Sequence, residues 1–209
     1  MFAIVLASCS RQVKVHGSWE KGVSHDESFT RVLIVALSPN SSARCNFELF
    51  LETQIRATGA DATASCNLMN TSENLTAENI HAVVLEYGAD AVLTTILVQS
   101  DGSVIEGGDR DTRGGLYLKA IGSGYEDFYF GGYGVYGVPV VYGEFMEVPV
   151  ITSIEGEVQI QSMLYATQNK TLVYKLITTA HDLYSSDNAF AEITPRIAKR
   201  LQDEGLLPD

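Results

Sequence analysis

Apolar residues follow two different spacings along this chain, and the change of spacing predicts alternating strands and helices. The run from Arg31 to Leu37 is apolar at consecutive positions, which is typical of a strand buried on both faces. A helix follows, with N-cap candidates at residues 40–42 and a stop at Gly59. The residues that recur there at helical spacing are Phe47, Phe50, Leu51, Gln54 and Ile55.

The same alternation continues for one more cycle. Residues 61–69 have a weaker strand pattern, and Thr76 is the predicted N-cap of a second helix that ends at Gly88. Residues 90–98 form a third buried strand in this interpretation. Strands that alternate with helices favour parallel pairing through crossover connections, so the sequence predicts a βαβαβ core.

The C-terminal third changes to an alternation of polar and apolar residues. Residues 157–166 and 171–177 predict an antiparallel hairpin around a turn at 167–170. A closing helix is capped within residues 185–187, and Pro195 either kinks it or marks the start of its regular part. The predicted fold class is therefore α/β (α+β), with a mixed sheet, a C-terminal hairpin and a closing C-terminal helix.

Residues 99–147 are predicted to be an insertion loop within this domain. Its acidic stretch, residues 101–111, is either a solvated loop or a Ca²⁺ site whose spacing departs from the EF-hand. Residues 122–142 are rich in glycine and tyrosine, which disfavours a helix. The tyrosines either pack on their own domain or grip a partner, peptidoglycan or glycan. The partner-binding candidates are Tyr125, Tyr129, Tyr133, Tyr136 and Tyr142.

Composition narrows the classes of function. The 209 residues include 45% hydrophobic ones, enough for a proper core, and carry a net charge of −12. That charge disfavours nucleic acid as a partner, because nucleic-acid binding needs basic patches. No stretch approaches the roughly 20 apolar residues that a membrane-spanning helix requires.

Two of the three cysteines form a candidate disulfide. Cys45 lies near the start of the first helix, and Cys66 lies near the end of the following strand. A crossover helix runs antiparallel to its flanking strands, so both residues are expected at the same end of the fold. A disulfide between Cys45 and Cys66 is one interpretation, and two separate buried thiols are the other. No second pair of Cys or His stands at ligand spacing, so no metal site is expected.

The third cysteine, Cys9, ends the sequence Leu-Ala-Ser-Cys after a short apolar run. This tetrapeptide resembles the lipobox of bacterial lipoproteins, which implies cleavage before Cys9 and attachment of a lipid to it. The alternative is a buried first strand. In the lipobox interpretation residues 1–8 are a signal-peptide remnant, 9–30 the lipidated cysteine with a polar linker, and 31–209 the single α/β domain. The non-acidic Ser10 favours the outer membrane, periplasmic face.

A second resemblance covers nearly the whole chain. Residues 31–37, 88–93, 158–174 and 197–208 are similar to a group of small bacterial lipoproteins of unknown function. Within the hairpin, Leu-Tyr-Ala-Thr-Gln-Asn-Lys-Thr-Leu-Val-Tyr matches the group's pattern, with Tyr174 in place of the usual Trp. The resemblance implies a domain similar to the N-terminal domain of TolB. It brings no catalytic residues with it.

The sequence holds no motif of a known catalytic or cofactor-binding site. The nucleophile elbow, the His-Glu-x-x-His zinc motif, the phosphate-binding loop and the dinucleotide fingerprint are all missing. We therefore expect no enzyme activity and no cofactor. The predicted function is a membrane-anchored interaction or envelope-assembly module with an envelope protein as partner. The alternative is a lipoprotein that binds a small ligand or an envelope glycan.

Overall fold

The computed structural model describes residues 13–38, 41–70, 75–106, 115–120, 143–148, 151–183 and 186–208. The strands within these ranges are β1 (Lys14–Trp19), β2 (Arg31–Leu37), β3 (Asp61–Ala64), β4 (Ala91–Glu106), β5 (Gly115–Ala120), β6 (Gly143–Val148), β7 (Ile151–Ala166) and β8 (Leu172–Leu183). The helices are α1 (Ser41–Arg56), α2 (Ala77–Tyr87) and α3 (Ser186–Asp203). A single 3₁₀ turn, Ser65–Asn67, follows β3.

Six of these strands form one mixed sheet in the order β1-β8-β7-β4-β2-β3. β2 runs parallel to β3 and β4, whereas β7 and β8 form an antiparallel hairpin that pairs with β4 and β1. The predicted α/β (α+β) class, with its C-terminal hairpin and closing helix, is confirmed. β5 and β6 pair with each other in a separate two-stranded sheet.

β2 is buried on both faces, as its unbroken apolar run predicts. Val32 and Ile34 pack in a cluster with apolar residues of α1 and α3, and Leu33 and Val35 pack in a second cluster with residues of α2. The sheet therefore separates two cores, with α1 and α3 on one side and α2 on the other. Such a three-layer arrangement is the usual cover for parallel strands.

The predicted helix boundaries agree with the structure. The hydroxyl of Thr76 accepts a hydrogen bond from the backbone N–H of Asn79 at 3.1 Å, and Gly88 ends α2 in the left-handed conformation. α1 ends at Arg56, three residues before Gly59 at φ 92°. α3 runs from Ser186 to Asp203 with Pro195 inside it, so the helix begins well before the proline.

Part of the predicted polar linker, residues 9–30, is a strand instead. β1 pairs with β8 from Lys14 opposite Thr179 to Trp19 opposite Tyr174. Val15 and Trp19 are half-buried against the larger core and Gly17 between them is also partly buried, whereas His16 and Ser18 are exposed. The polarity of this segment reflects an edge strand with one solvated face rather than a tether.

Close packing fixes β1 in this position. The indole Nε1 of Trp19 donates a hydrogen bond to Glu204 at 2.9 Å, just beyond α3. A Cβ added at Gly17 would lie 1.9 Å from the hydroxyl oxygen of Tyr174, a fully buried side chain. Glycine is therefore the residue that allows β1 to cross the Tyr174 ring.

The predicted insertion loop, residues 99–147, is also wrong in part. β4 continues to Glu106, which pairs with Ile151 of β7, so residues 99–106 belong to the main sheet. Pairing with β7 supplies backbone hydrogen bonds to a polar segment, and polarity alone therefore did not prevent a strand. β5 and β6 are two further strands within the segment that was predicted to be a loop. Residues 122–142, including the five candidate tyrosines, lie outside the described residues.

Candidate functional site

α1 carries two charged residues on its buried face. Arg44 and Glu48 lie in the same stripe as Phe47, Leu51 and Ile55, and they are 4% and 0% exposed. Charged side chains are rarely buried to this extent unless they are paired. The buried face of α1 therefore marks the candidate site.

Glu48 supplies acceptors where the parallel part of the sheet ends. The last paired residues of β2 and β3 are Ile34 and Ala64, so Ala36 lies beyond the end of β3. The Oε1 atom of Glu48 accepts a hydrogen bond from the backbone N–H of Ala36 at 2.8 Å, and Oε2 accepts one from the N–H of Cys66 at 2.9 Å. The carboxyl group thus accepts hydrogen bonds from backbone N–H groups that lie beyond the paired part of β2 and β3.

Ser65 completes this arrangement. Its hydroxyl donates to Oε1 of Glu48 at 2.8 Å, and its side chain is fully buried. These contacts hold the 3₁₀ turn that follows β3, and they explain why the strand predicted at 61–69 stops at Ala64. The turn is fixed by a helix residue 17 positions earlier in the chain.

Arg44 is far less well satisfied than Glu48. Its Nε atom lies 3.9 Å from Oε1 of Glu48, beyond hydrogen-bond distance. Both Nε and Nη2 are buried, and neither has a hydrogen-bond partner among the residues that the structure describes. A guanidinium has no acceptor of its own, so these two N–H groups need oxygen atoms from elsewhere. Arg44 is the least compensated charge on the buried face of α1.

Opposing effects act on the ionisation of Glu48. Burial raises the pKa of this carboxyl above its ordinary value of 4.5, since the charged form loses its hydration. The hydrogen bonds from Ala36, Cys66 and Ser65 oppose that shift, and so does the Arg44 guanidinium. The neutral form is therefore accessible at a higher pH than in an exposed glutamate.

The predicted disulfide lies beside this pair. Cys45 and Cys66 are bonded, with their Cα atoms 5.5 Å apart. The topological argument that brings the start of α1 to the end of β3 is thus confirmed. Cys66 is consequently held twice, by the disulfide and by the hydrogen bond from its N–H to Glu48.

The other predicted site residues are not brought into this site. Cys9 and the candidate tyrosines Tyr125 to Tyr142 lie outside the described residues. Among the residues that the structure describes, no group of three or more His, Cys, Asp and Glu could hold a metal ion. In that same part of the chain, no helix is long and apolar enough to cross a bilayer.

Sequence reasoning missed Arg44, Glu48 and Ser65. The predicted helical stripe begins at Phe47 and leaves out Arg44 and Glu48, although these two residues lie on the same face as Leu51 and Ile55. The spacing of four, three and four residues from Arg44 to Ile55 was the available signal. A charged residue on such a stripe indicates either a buried pair or a binding group.

Comparison with known proteins identifies no family. No family model and no curated protein matches this chain. Two solved structures of PelC dodecamers from Paraburkholderia phytofirmans are similar in chain path. One has 9% identity and a TM-score of 0.46, and covers 93% of this chain and 99% of that chain. The other, a variant, has 10% identity and a TM-score of 0.45, and covers 90% and 98%. Likeness at this level carries no inference about function.

Proposed function

We propose that this protein is an exported lipoprotein, anchored through Cys9 to the periplasmic face of the outer membrane, that acts as a non-catalytic interaction or envelope-assembly module. The observation that carries the proposal is the disulfide between Cys45 and Cys66. Disulfides persist in oxidising compartments such as the periplasm and are rare in the cytosol. Since two cysteines pair with each other, Cys9 is left for the lipid.

The position of β1 changes the expected geometry of the anchor. β1 begins at Lys14, five residues after Cys9, and it is part of the main sheet. Five extended residues span at most roughly 17 Å. A lipid on Cys9 would therefore hold the sheet edge close to the bilayer, and not at the end of a linker of residues 9–30.

Replacement of Cys9 tests the anchor directly. We expect Cys9→Ala to move the protein from the membrane fraction to the soluble periplasmic fraction, because the acyl chains are its proposed attachment. Immunoblots of fractionated cells measure the distribution. The matched control is the double variant Cys45→Ala/Cys66→Ala, which keeps Cys9 and should stay with the membrane. Membrane recovery of Cys9→Ala equal to that of the wild type contradicts lipid anchoring.

Crosslinking of the protein with and without its candidate tyrosines tests the proposed interaction role. After crosslinking in intact cells, we expect the full-length lipoprotein to recover one stoichiometric envelope protein. We expect the recovered amount of that protein to fall at least tenfold when the five candidate tyrosines become serine, since tyrosines commonly dominate binding energy at interfaces. The replaced residues are Tyr125, Tyr129, Tyr133, Tyr136 and Tyr142. A single partner recovered equally by both forms would assign the interaction to another surface.

One observation favours the alternative, a lipoprotein that binds a small ligand. At the carboxyl ends of parallel strands, Arg44 presents two buried nitrogen atoms that have no hydrogen-bond partner within the described part of the chain. Open α/β sheets bind their ligands at that edge.

A further inference from the structure

The guanidinium of Arg44 has an unfilled hydrogen-bonding capacity of a particular shape. Nε and Nη2 lie on the same side of the guanidinium and form the side-on fork that matches the two oxygens of a carboxylate. Both atoms are buried without a partner in the described ranges of the chain, and the whole residue is 4% exposed. Leaving a buried charged donor unsatisfied is strongly unfavourable, so native structures fill such positions with a protein group, a water or an ion.

In the part of the chain that the structure describes, the acidic side chain paired with Arg44 is already committed to other donors. Glu48 is the acidic neighbour, and its Oε1 accepts from both Ala36 and Ser65 while lying 3.9 Å from Nε. Its Oε2 accepts from the N–H of Cys66. The carboxyl group therefore balances the charge of Arg44 without satisfying its fork.

The location is suited to an anion. Glu48 contacts Ala36 near the end of β2 and Cys66 just after β3, which places Arg44 at the carboxyl edge of these parallel strands. Arg44 is also the fourth residue of α1, a helix of 16 residues whose first turn carries no acidic side chain. The dipole of a helix N-terminus favours negative charge at this end.

We propose that Arg44 is an oxyanion-binding residue, which holds a carboxylate group of a small ligand through Nε and Nη2 at the carboxyl edge of β2 and β3. This proposal deepens the ligand-binding alternative and is independent of the Cys9 anchor. A monoanion fits better than a phosphate dianion, because Glu48 already places one negative charge beside the fork.

Burial determines how the ligand enters. Since Nε and Nη2 are covered, the side chains at this edge separate before an anion reaches them. Association is therefore slower than diffusion, as is usual when binding requires a conformational change. The net charge of −12 gives no long-range attraction for an anion, so the fork itself must supply the selectivity.

The test measures thermal unfolding of the full chain in Tris-chloride buffer while sodium acetate replaces sodium chloride at constant ionic strength. We expect the midpoint to rise by about 2–4 °C once acetate exceeds its dissociation constant severalfold. A parallel titration with inorganic phosphate is expected to give a weaker effect. Dominance of phosphate over acetate would overturn the assignment to a carboxylate.

Two variants separate the fork from general salt effects. Arg44→Lys keeps a positive charge beside Glu48 but lacks the fork, and we expect acetate to bind about tenfold more weakly or worse. Arg56→Lys changes a half-exposed arginine on the same helix and should respond as the wild type does. An acetate response shared by all three proteins would overturn the proposal.

A spectroscopic measurement keeps the proposal testable if Arg44→Lys folds poorly. In the wild type, the Nε–H resonance of Arg44 should shift on titration with acetate, whereas that of Arg56 should not. A resonance that stays unchanged at saturating acetate would show that water alone occupies the fork. Loss of membrane attachment in Cys9→Ala would leave all of these results unaffected, so the two proposals fail separately.

Discussion

Replacement of Glu48 by leucine is expected to lower the free energy of unfolding by about 3–5 kcal/mol. The substitution leaves the N–H groups of Ala36 and Cys66 without their acceptor, and each unsatisfied buried donor costs about 1–3 kcal/mol. It also leaves the Arg44 guanidinium buried without a countercharge. Urea denaturation followed by circular dichroism measures the loss.

Two further variants calibrate this result. Glu48→Gln keeps one oxygen for Ala36 and Ser65 and loses the bond from Cys66, so we expect a loss of about 1–3 kcal/mol. Glu86→Leu removes an exposed carboxylate from α2 and should change stability by about 0.5 kcal/mol or less. Equal effects of Glu48→Leu and Glu86→Leu would contradict the structural role of Glu48.

The pH dependence of the same variants has a definite sign. Because the folded-state pKa of Glu48 lies above 4.5, the protonated carboxyl contributes stability below pH 4.5 that is lost as the pH rises through the folded-state pKa. Glu48→Gln cannot titrate at this position. The stability advantage of the wild type over Glu48→Gln should therefore shrink from acidic to neutral pH, and an advantage that grows would contradict the shift.

Removal of the disulfide is expected to cost about 3 kcal/mol on the chain-entropy model, given the 21-residue separation of Cys45 and Cys66. Cys45→Ala/Cys66→Ala, compared with the oxidised parent in a Cys9→Ala background, isolates this bond from intermolecular oxidation. Dithiothreitol should destabilise the parent and leave the double variant unchanged. Equal stability of the parent before and after reduction would contradict a stabilising role for the disulfide.

The disulfide and Glu48 should also be coupled. Both hold Cys66, the first through its sulfur and the second through its backbone N–H. Residues that share a partner show interaction energies of about 0.5–3 kcal/mol in double-mutant cycles. We therefore expect Glu48→Leu combined with loss of the disulfide to deviate from additivity by an amount in this range.

The sequence pattern predicted correctly those elements whose boundaries are set by residues close to them in sequence. The N-cap at Thr76 and the left-handed glycine at Gly88 bound α2 as expected, and the apolar run at residues 31–37 became a strand buried on both faces. The hairpin of β7 and β8 followed from its alternation. In each of these elements, neighbours in sequence supply the deciding interaction.

Elements that depend on distant partners were predicted poorly. β1 is a strand because it pairs with β8, more than 150 residues later, and the outer half of β4 is a strand because it pairs with β7. Nothing in the composition of residues 14–19 or 99–106 distinguishes a paired strand from a polar linker. Whether such a segment forms a strand depends on its pairing with a second segment, which its own composition does not reveal.

The sequence by itself determined the α/β class and the caps of α2, and it brought Cys45 and Cys66 to the same end of the fold, because spacing and chain topology are enough to place them. Only the tertiary structure decided that β3 stops short of Ala36. Because β3 ends early, the backbone N–H of Ala36 has no partner in β3 and donates to the Glu48 carboxyl group instead. Among the described residues, Nε and Nη2 of Arg44 beside it have no hydrogen-bond partner. Buried backbone N–H groups need a hydrogen-bond acceptor, and the pattern of neighbouring residues does not show whether a distant strand will supply one.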